Sequence, residues 1–154
     1  MLSALELKIP PLILAVIVAA AMGAIAWLTP QFILPITFTY LPAAIFICGG
    51  LIVMFAGAFA FRRAQTTLNP TKIDTASSLV TAGIFGVSRN PMYLGMAMIL
   101  VGLGFYLSHA LAFLGPVLFV LFINRFQIVP EERMMTELFG DEFAAYQTAV
   151  RRWV

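Results

Sequence analysis

The stretch PLILAVIVAAAMGAIAWL, residues 11–28, carries no charged side chain and decides the fold. A transmembrane helix needs about 20 predominantly apolar residues, with a range of roughly 17–25. Pro10 and Pro11 stand at the start of this stretch, where their missing backbone donors cost a helix nothing. The stretch therefore predicts a first membrane-spanning helix.

The composition of the whole chain agrees with that prediction. Of its 154 residues, 62% are hydrophobic and 10% are charged, whereas soluble domains are about 45–50% apolar and about 25% charged. A soluble protein of this composition would expose large apolar patches. The formal net charge of +2 is too small to indicate a nucleic-acid partner. We expect a single integral membrane domain over residues 1–154, with the lipid bilayer as its surroundings.

Three further apolar segments follow the first. The last two are separated only by Ser108 and His109, which predicts a tight helical hairpin with the histidine as an ordinary turn residue. Small residues let helix backbones approach closely in a bilayer, so we assign a packing role to the glycines of the third segment. The three segments are residues 41–61, 92–107 and 110–126, and the glycines are Gly95, Gly102 and Gly104.

A polar tail follows Pro130, and its apolar residues recur at spacings of three and four, as on one face of a helix. We expect Gly140 to divide this helix in two. The predicted fold is an all-α, polytopic transmembrane helical bundle of about four spans with C-terminal amphipathic interfacial helices. Residues 1–61 supply two spans, and residues 62–154 supply a long polar loop, the hairpin and the tail.

The charges are distributed unevenly along this topology. With four spans, every Lys and Arg falls on the side that holds both termini, and the opposite loops carry none. Because cytoplasmic loops are enriched in these residues, we expect both termini on the cytoplasmic side of the membrane. We expect that membrane to be the plasma membrane, which is the inner membrane of a bacterium. No span has a charge near its middle. A proton- or ion-coupled transporter would usually place an ionisable residue there.

Two segments concentrate polar groups on the cytoplasmic side. Arg89, Asn90 and Pro91 predict the start of the third helix, whose free backbone donors suit a carboxylate; a plain helix cap with a snorkelling arginine is an equally good interpretation. Glu131 and Glu132 open the tail. Adjacent side chains on a helix point about 100° apart, so one can face inward and bind a cation. The other would then stabilise the helix dipole, the role expected for Glu132.

The order of several motifs from about residue 67 to the end resembles one enzyme family. That family comprises the isoprenylcysteine carboxyl methyltransferases and phospholipid methyltransferases, which are integral membrane proteins. The matching segments are Leu79-Val80-Thr81-Ala82-Gly83, Arg89-Asn90-Pro91-Met92-Tyr93-Leu94-Gly95, Glu131-Glu132, Leu138-Phe139-Gly140, Tyr146 and Val150-Arg151-Arg152-Trp153.

The resemblance implies an S-adenosylmethionine-dependent methyltransferase without a metal. Its acceptor would be a lipid-like or small molecule with a carboxylate, thiol or amine, reached sideways from the bilayer. Glu131 would bind the cofactor's amino group, Arg89 and the donors near Asn90 its carboxylate, and apolar side chains its adenine. The implied cofactor-binding residues are Ser77, Ser78, Leu79, Val80, Phe85, Asn90, Pro91, Met92, Tyr93 and Glu131.

The sequence departs from the family pattern at two positions. Asn90 replaces a histidine, and Gln127 replaces a substrate-binding arginine, with Arg125 two residues before it. The candidates for orienting the substrate are Arg89, Arg125 and Gln127. Three other interpretations stay open at this stage: a small four-helix transporter, a membrane enzyme of the glutathione transferase type, and a non-catalytic membrane scaffold. The catalytic group, the acceptor and the oligomeric state are not determined by the sequence.

Overall fold

The computed structural model describes residues 6–33, 39–63 and 79–154, which are helical apart from short connections. Within these ranges there is no strand, only an isolated bridge between Ile33 and His109. The predicted all-α fold is confirmed. The α-helices are α1 (Pro11–Leu28), α2 (Tyr40–Arg63), α3 (Pro91–Leu107), α4 (Leu114–Ile123) and α5 (Val129–Ala149); 3₁₀ turns cover Pro30–Phe32, Gly83–Gly86 and Ala110–Phe113, and a π-helical segment covers Asn124–Ile128.

The helices are long enough to cross a bilayer, with one exception. Helix α1, helix α2 and an apolar window of 18 residues within the continuous helical stretch Ala110–Ala149 each meet the length and hydropathy of a membrane span. Helix α3 has 17 residues and measures about 26 Å, which is less than the roughly 30 Å of a hydrocarbon core. The first three predicted segments match α1, α2 and α3 to within two residues at each end. The chain is an integral membrane protein.

The fourth predicted segment does not end where the sequence indicated. We expected a span that stops near Phe126 and a separate tail after Pro130, but the helix continues through the π-helical segment into α5. Pro130 has no N–H for the carbonyl of Phe126 four residues back; that carbonyl accepts a hydrogen bond from the Leu7 N–H at 3.0 Å. The predicted division at Gly140 is confirmed, since this residue adopts φ 49° inside α5.

Contacts between helix ends occur on both sides of the bundle. The Gln127 side chain donates to the carbonyl of Ile9 at 2.7 Å, which joins the start of α1 to the α4–α5 junction. The ring of Phe61 near the end of α2 packs edge-on against Phe85, just before α3, with 5.1 Å between centroids. We call this level the polar end; it comprises the start of α1, the end of α2, the start of α3 and the α4–α5 junction.

His109 lies at the opposite end of the bundle. It is not an ordinary turn residue, so the sequence interpretation was wrong. It is fully buried, and its Nε2 lies 2.8 Å from the carbonyl oxygen of Thr29 and 3.1 Å from the Thr29 hydroxyl. Its ring also meets that of Phe32 edge-on. The histidine therefore ties the end of α1 to the turn between α3 and α4.

Helices α2 and α3 are in backbone contact through glycines. A Cβ placed on Gly95 would lie 2.5 Å from the carbonyl oxygen of Gly50, and one on Gly50 would lie 2.6 Å from that of Gly95. Gly102 meets Ala43 and Ile47 of α2 in the same way. The predicted close approach of helices is confirmed for Gly95 and Gly102, whereas Gly104 lies against the ring of Phe113.

Replacing Gly95 with alanine should destabilise the bundle, because the new methyl group has no room beside the Gly50 carbonyl. Overpacking of this kind costs about 1–3 kcal/mol, so we expect a lower midpoint of thermal unfolding in detergent. Gly23→Ala in α1 is the matched control, since nothing lies within 4 Å of its added Cβ. An unchanged midpoint for Gly95→Ala would show that α2 and α3 separate easily.

Candidate functional site

The two adjacent glutamates at the polar end have different surroundings. Glu131 is partly buried, and its Oε1 accepts a hydrogen bond of 2.5 Å from the hydroxyl of Tyr93, a buried residue of α3. Across residues 6–33, 39–63 and 79–154, no Lys or Arg forms an ion pair with Glu131. Desolvation raises the pKa of the Glu131 carboxyl to about 8; the Tyr93 hydrogen bond opposes the rise, and the charge of Glu132 adds to it.

Glu132 is held between two arginines instead. Its Oε1 lies 2.7 Å from Nη2 of Arg89, and its Oε2 lies 2.6 Å from Nη2 of Arg152. Burial alone would raise the pKa of Glu132, but the hydrogen bonds and charges of Arg152 and Arg89 outweigh it and hold the pKa below its ordinary value. The sequence expectation of a helix-dipole role for Glu132 was therefore incomplete: this carboxylate stays ionised as the centre of an ion-pair cluster.

Arg89 and Asn90 bind the C-terminal tail. The Nη1 of Arg89 donates to the carbonyls of Gln147 and Val150 at 3.0 and 2.8 Å, and the Asn90 side-chain amide donates to the carbonyl of Arg152 at 3.0 Å. Asn90 occupies the N-cap position of α3, but its side chain makes no capping hydrogen bond, contrary to the simple cap interpretation. These donors hold the tail across the start of α3.

A second contact holds the tail against the residues that precede α3. The hydroxyl of Tyr146 donates to the carbonyl of Phe85 at 2.7 Å, and burial raises the pKa of Tyr146 to about 12 although Arg89 opposes the rise. The hydroxyl therefore remains a donor at neutral pH. Further along the tail, the indole N–H of Trp153 donates to the side-chain carbonyl of Asn124 at 3.2 Å.

The remaining predicted cofactor residues lie around these contacts. Phe85, Pro91 and Tyr93 are buried at the start of α3, and Leu79 and Val80 are half-buried in the segment before it. Pro91 and Met92 lie against Gly57 of α2. Ser77 and Ser78 lie outside the described residues.

Arg125 and Gln127, two of the three predicted orientation or substrate candidates, contact the N-terminal segment, whereas Arg89 binds the tail and Glu132. Gln127 is 1% exposed, and its Oε1 has no hydrogen-bond partner among the described residues. Arg125 is largely exposed and pairs with Glu6 at 3.0 Å. Gln127 is therefore the inward-facing member of the pair, one helical turn before Glu131.

The sequence suggested that Arg152 and Trp153 anchor the tail at the headgroup boundary and that Tyr146 lies on its apolar face, and it included none of the three in the candidate site. Arg152, Tyr146 and Trp153 all belong to the resemblance motifs, yet nothing in their spacing showed which groups they would bind. The signal that could have found Arg152 is charge balance: a partly buried glutamate at the start of α5 needs a cation, and the tail offers one.

The geometry provides a desolvated carboxylate beside the start of a helix. Helix α3 presents backbone donors in its first turn and a partial positive charge, while Glu131 presents an acceptor for a cation. A ligand that carries both an ammonium and a carboxylate matches this pair of features. The C-terminal tail covers the site through Arg89, Asn90 and Tyr146.

Comparison with known proteins identifies the family of this chain. The chain is 44% identical over 63 residues to a protein of Haemophilus influenzae described as an uncharacterized protein; the match covers 41% of this chain and 100% of that relative. No solved structure matches the chain. The sequence model of the phospholipid methyltransferase family matches residues 38–142, which include α2, α3, α4, the glutamate pair and the start of the kinked tail. By that match, the chain belongs to the phospholipid methyltransferase family.

Proposed function

We propose that the protein transfers a methyl group from S-adenosylmethionine to a lipid-like or small acceptor with a carboxylate, thiol or amine, in the manner of the isoprenylcysteine carboxyl methyltransferases. The family supports methyl transfer at a membrane. The observation that carries the cofactor assignment is the Glu131 carboxylate, which is desolvated and has no cationic partner among the described residues. S-adenosylmethionine supplies an activated methyl group when bound.

The surroundings of Glu131 fit the amino-acid part of that cofactor. A desolvated carboxylate is stabilised by an ammonium at hydrogen-bond distance, because the pair replaces the lost hydration of both groups. Tyr93 holds one carboxylate oxygen with a hydrogen bond of 2.5 Å, so the group is oriented before any ligand arrives. Glu132 cannot take this role, since Arg89 and Arg152 already neutralise it.

The start of α3 fits the ligand's carboxylate. The N–H groups of Met92 and Tyr93 stand in the first turn of a 17-residue helix, where no intrahelical acceptor precedes them. Arg89 contributes positive charge close by, although its guanidinium is bonded to the tail and to Glu132. We therefore assign the carboxylate to the helix start, with Arg89 as the group that holds the tail over it.

Further parts of the proposal concern the adenine and the orientation. Val80, Phe85 and Tyr93 place apolar side chains at the start of α3 and just before it, and the predicted cofactor set also includes Ser77, Ser78 and Leu79. Because Lys and Arg concentrate at the polar end, we place that end and both termini on the cytoplasmic side of a bacterial inner membrane. Residues 1–154 act as one catalytic domain in this proposal.

The detergent-purified protein should bind S-adenosylhomocysteine, the demethylated cofactor, in the micromolar range. Isothermal titration calorimetry measures this directly, and adenosine alone is the control because it lacks the ammonium and carboxylate. Absence of heat at millimolar ligand would refute the proposed cofactor.

Glu131→Gln should weaken this binding about 10- to 100-fold, because a hydrogen bond to a charged group is worth about 1.5–3 kcal/mol. Glu137→Gln, an exposed glutamate on the same helix, is the matched control and should bind like the unaltered protein. Equal affinity in the two variants would contradict the placement of the ammonium at Glu131.

The affinity should also depend on pH through Glu131. The free carboxyl has its pKa raised to about 8, and only its ionised form pairs with an ammonium, so binding below this pH must release a proton. Affinity should therefore rise with pH by up to about tenfold per unit until it levels near pH 8. Calorimetry from about pH 6 to about pH 9 tests this dependence. In Glu131→Gln only the ligand can titrate, so the rise of affinity with pH should disappear. A rise of equal slope in both proteins would assign it to the ligand.

A further inference from the structure

A group of charged side chains lies on the outer surface of the polar end. Nη1 of Arg125 lies 3.0 Å from one carboxylate oxygen of Glu6, and Nη1 of Arg133 lies 3.7 Å from the other. Lys8, two residues after Glu6, is exposed. We call these four residues the basic cluster. Its arginine side chains are 47% and 60% exposed, against 11% for Arg89, so the cluster is open to the surroundings.

The position of Glu6 is fixed by the backbone that follows it. Leu7 has φ 57°, a left-handed conformation that a leucine adopts only where its surroundings hold it. Its N–H donates to the carbonyl of Phe126 at 3.0 Å. The guanidinium of Arg125 lies over the ring of Phe126, 5.5 Å from the ring centroid. The cluster is therefore built at one defined place, where the N-terminal segment meets the α4–α5 junction.

The π-helical segment brings the two arginines onto one face. Arg133 follows Arg125 by eight positions, which in a regular α-helix would leave their side chains about 80° apart. The segment Asn124–Ile128 takes one extra residue into its turn. The eight positions then complete almost two turns, and the side chains differ in direction by about 20°. Both arginines accordingly reach the same carboxylate.

An apolar stripe of α4 leads from the hydrocarbon layer to the cluster. Leu118 and Leu121 are 61% and 60% exposed, on a helix that belongs to a candidate membrane span. Arg125 lies one helical turn beyond Leu121. Exposed apolar side chains on a spanning helix contact lipid chains, and a long basic side chain at its end reaches the headgroup level. The surface therefore presents lipid chains below and concentrated positive charge above.

We infer that the basic cluster binds the phosphate of an anionic phospholipid in the leaflet at the polar end. Three cationic side chains accompany one carboxylate, so the cluster keeps two positive charges. Two guanidiniums on one face offer paired donors that suit phosphate oxygens, and basic sites on this side of membrane proteins bind anionic headgroups. The inference is independent of the proposed methyl transfer, and it assigns Arg125 to a lipid headgroup instead of the methyl acceptor.

Native mass spectrometry of the detergent-purified protein tests this, with phosphatidylglycerol and phosphatidylcholine of identical chains as probes. The first lipid should bind about tenfold more tightly, because the choline cation cancels the phosphate charge of the second. Equal affinity in the unaltered protein overturns the inference and does not require any variant to fold. Inorganic phosphate at millimolar concentration should leave phosphatidylglycerol bound; its displacement would assign the cluster to free phosphate and overturn the lipid assignment.

Two double variants separate this site from the general charge of the protein. Arg125→Gln with Arg133→Gln should reduce the preference for phosphatidylglycerol to less than about twofold. Arg62→Gln with Arg63→Gln removes the same charge from the exposed end of α2 and should keep the preference. Equal loss in the two double variants would show attraction by net charge alone and overturn the inference.

Glu6→Gln gives a change of opposite sign. Removing the carboxylate frees the guanidiniums of Arg125 and Arg133 for phosphate and adds one positive charge to the cluster, so phosphatidylglycerol should bind about fivefold more tightly. If the four residues served only to hold the N-terminal segment, loss of the ion pairs would not strengthen lipid binding. Unchanged or weaker binding of phosphatidylglycerol by Glu6→Gln therefore contradicts the inference.

Discussion

A hydrocarbon layer offers no water to an unpaired polar group, and this constraint determines where every functional group of the protein can lie. Helix α1 has no charge, and the polar contacts of the described residues gather at the helix ends. At one end His109 is buried against Thr29, which satisfies its Nε2 within the protein. At the polar end the same demand produces the Glu132 cluster and the bond from Leu7 to the Phe126 carbonyl.

Two neighbouring carboxylates respond to this environment in opposite ways. Arg89 and Arg152 neutralise Glu132, so it remains ionised and holds the tail to α3. Glu131 meets only the Tyr93 hydroxyl among the described residues, so desolvation dominates and its pKa rises. Ionising this carboxyl at neutral pH costs free energy, because a desolvated charge without a partner is unfavourable. That cost is consistent with a group that awaits a cationic ligand.

The sequence predicted the helices well and the site only in outline. Hydrophobic length located α1, because spanning helices obey a simple length rule, and a proline at the first helical position marked the start of both α1 and α3. The sequence could not show that the fourth helix continues through Pro130. The carbonyl that Pro130 leaves without a donor is bound by the N–H of Leu7, more than a hundred residues away. The inward position of Glu131 was expected from the family resemblance and not from helical spacing, because the π-helical segment adds a residue to one turn and so rotates everything after it by about 100°. The burial of His109 depends likewise on a distant partner, Thr29.

The raised pKa of Glu131 also limits which acceptors the site can serve. A carboxyl that titrates near 8 has the strength of a general base at neutral pH, and an amine acceptor would need one to remove its proton. The same carboxylate loses that strength once it pairs with a ligand's ammonium, because an adjacent positive charge lowers its pKa. Glu131 cannot therefore hold the cofactor and accept a proton in the same complex. If it binds the cofactor, acceptors that are already anionic, such as a carboxylate or a thiolate, suit the described residues better than an ammonium does.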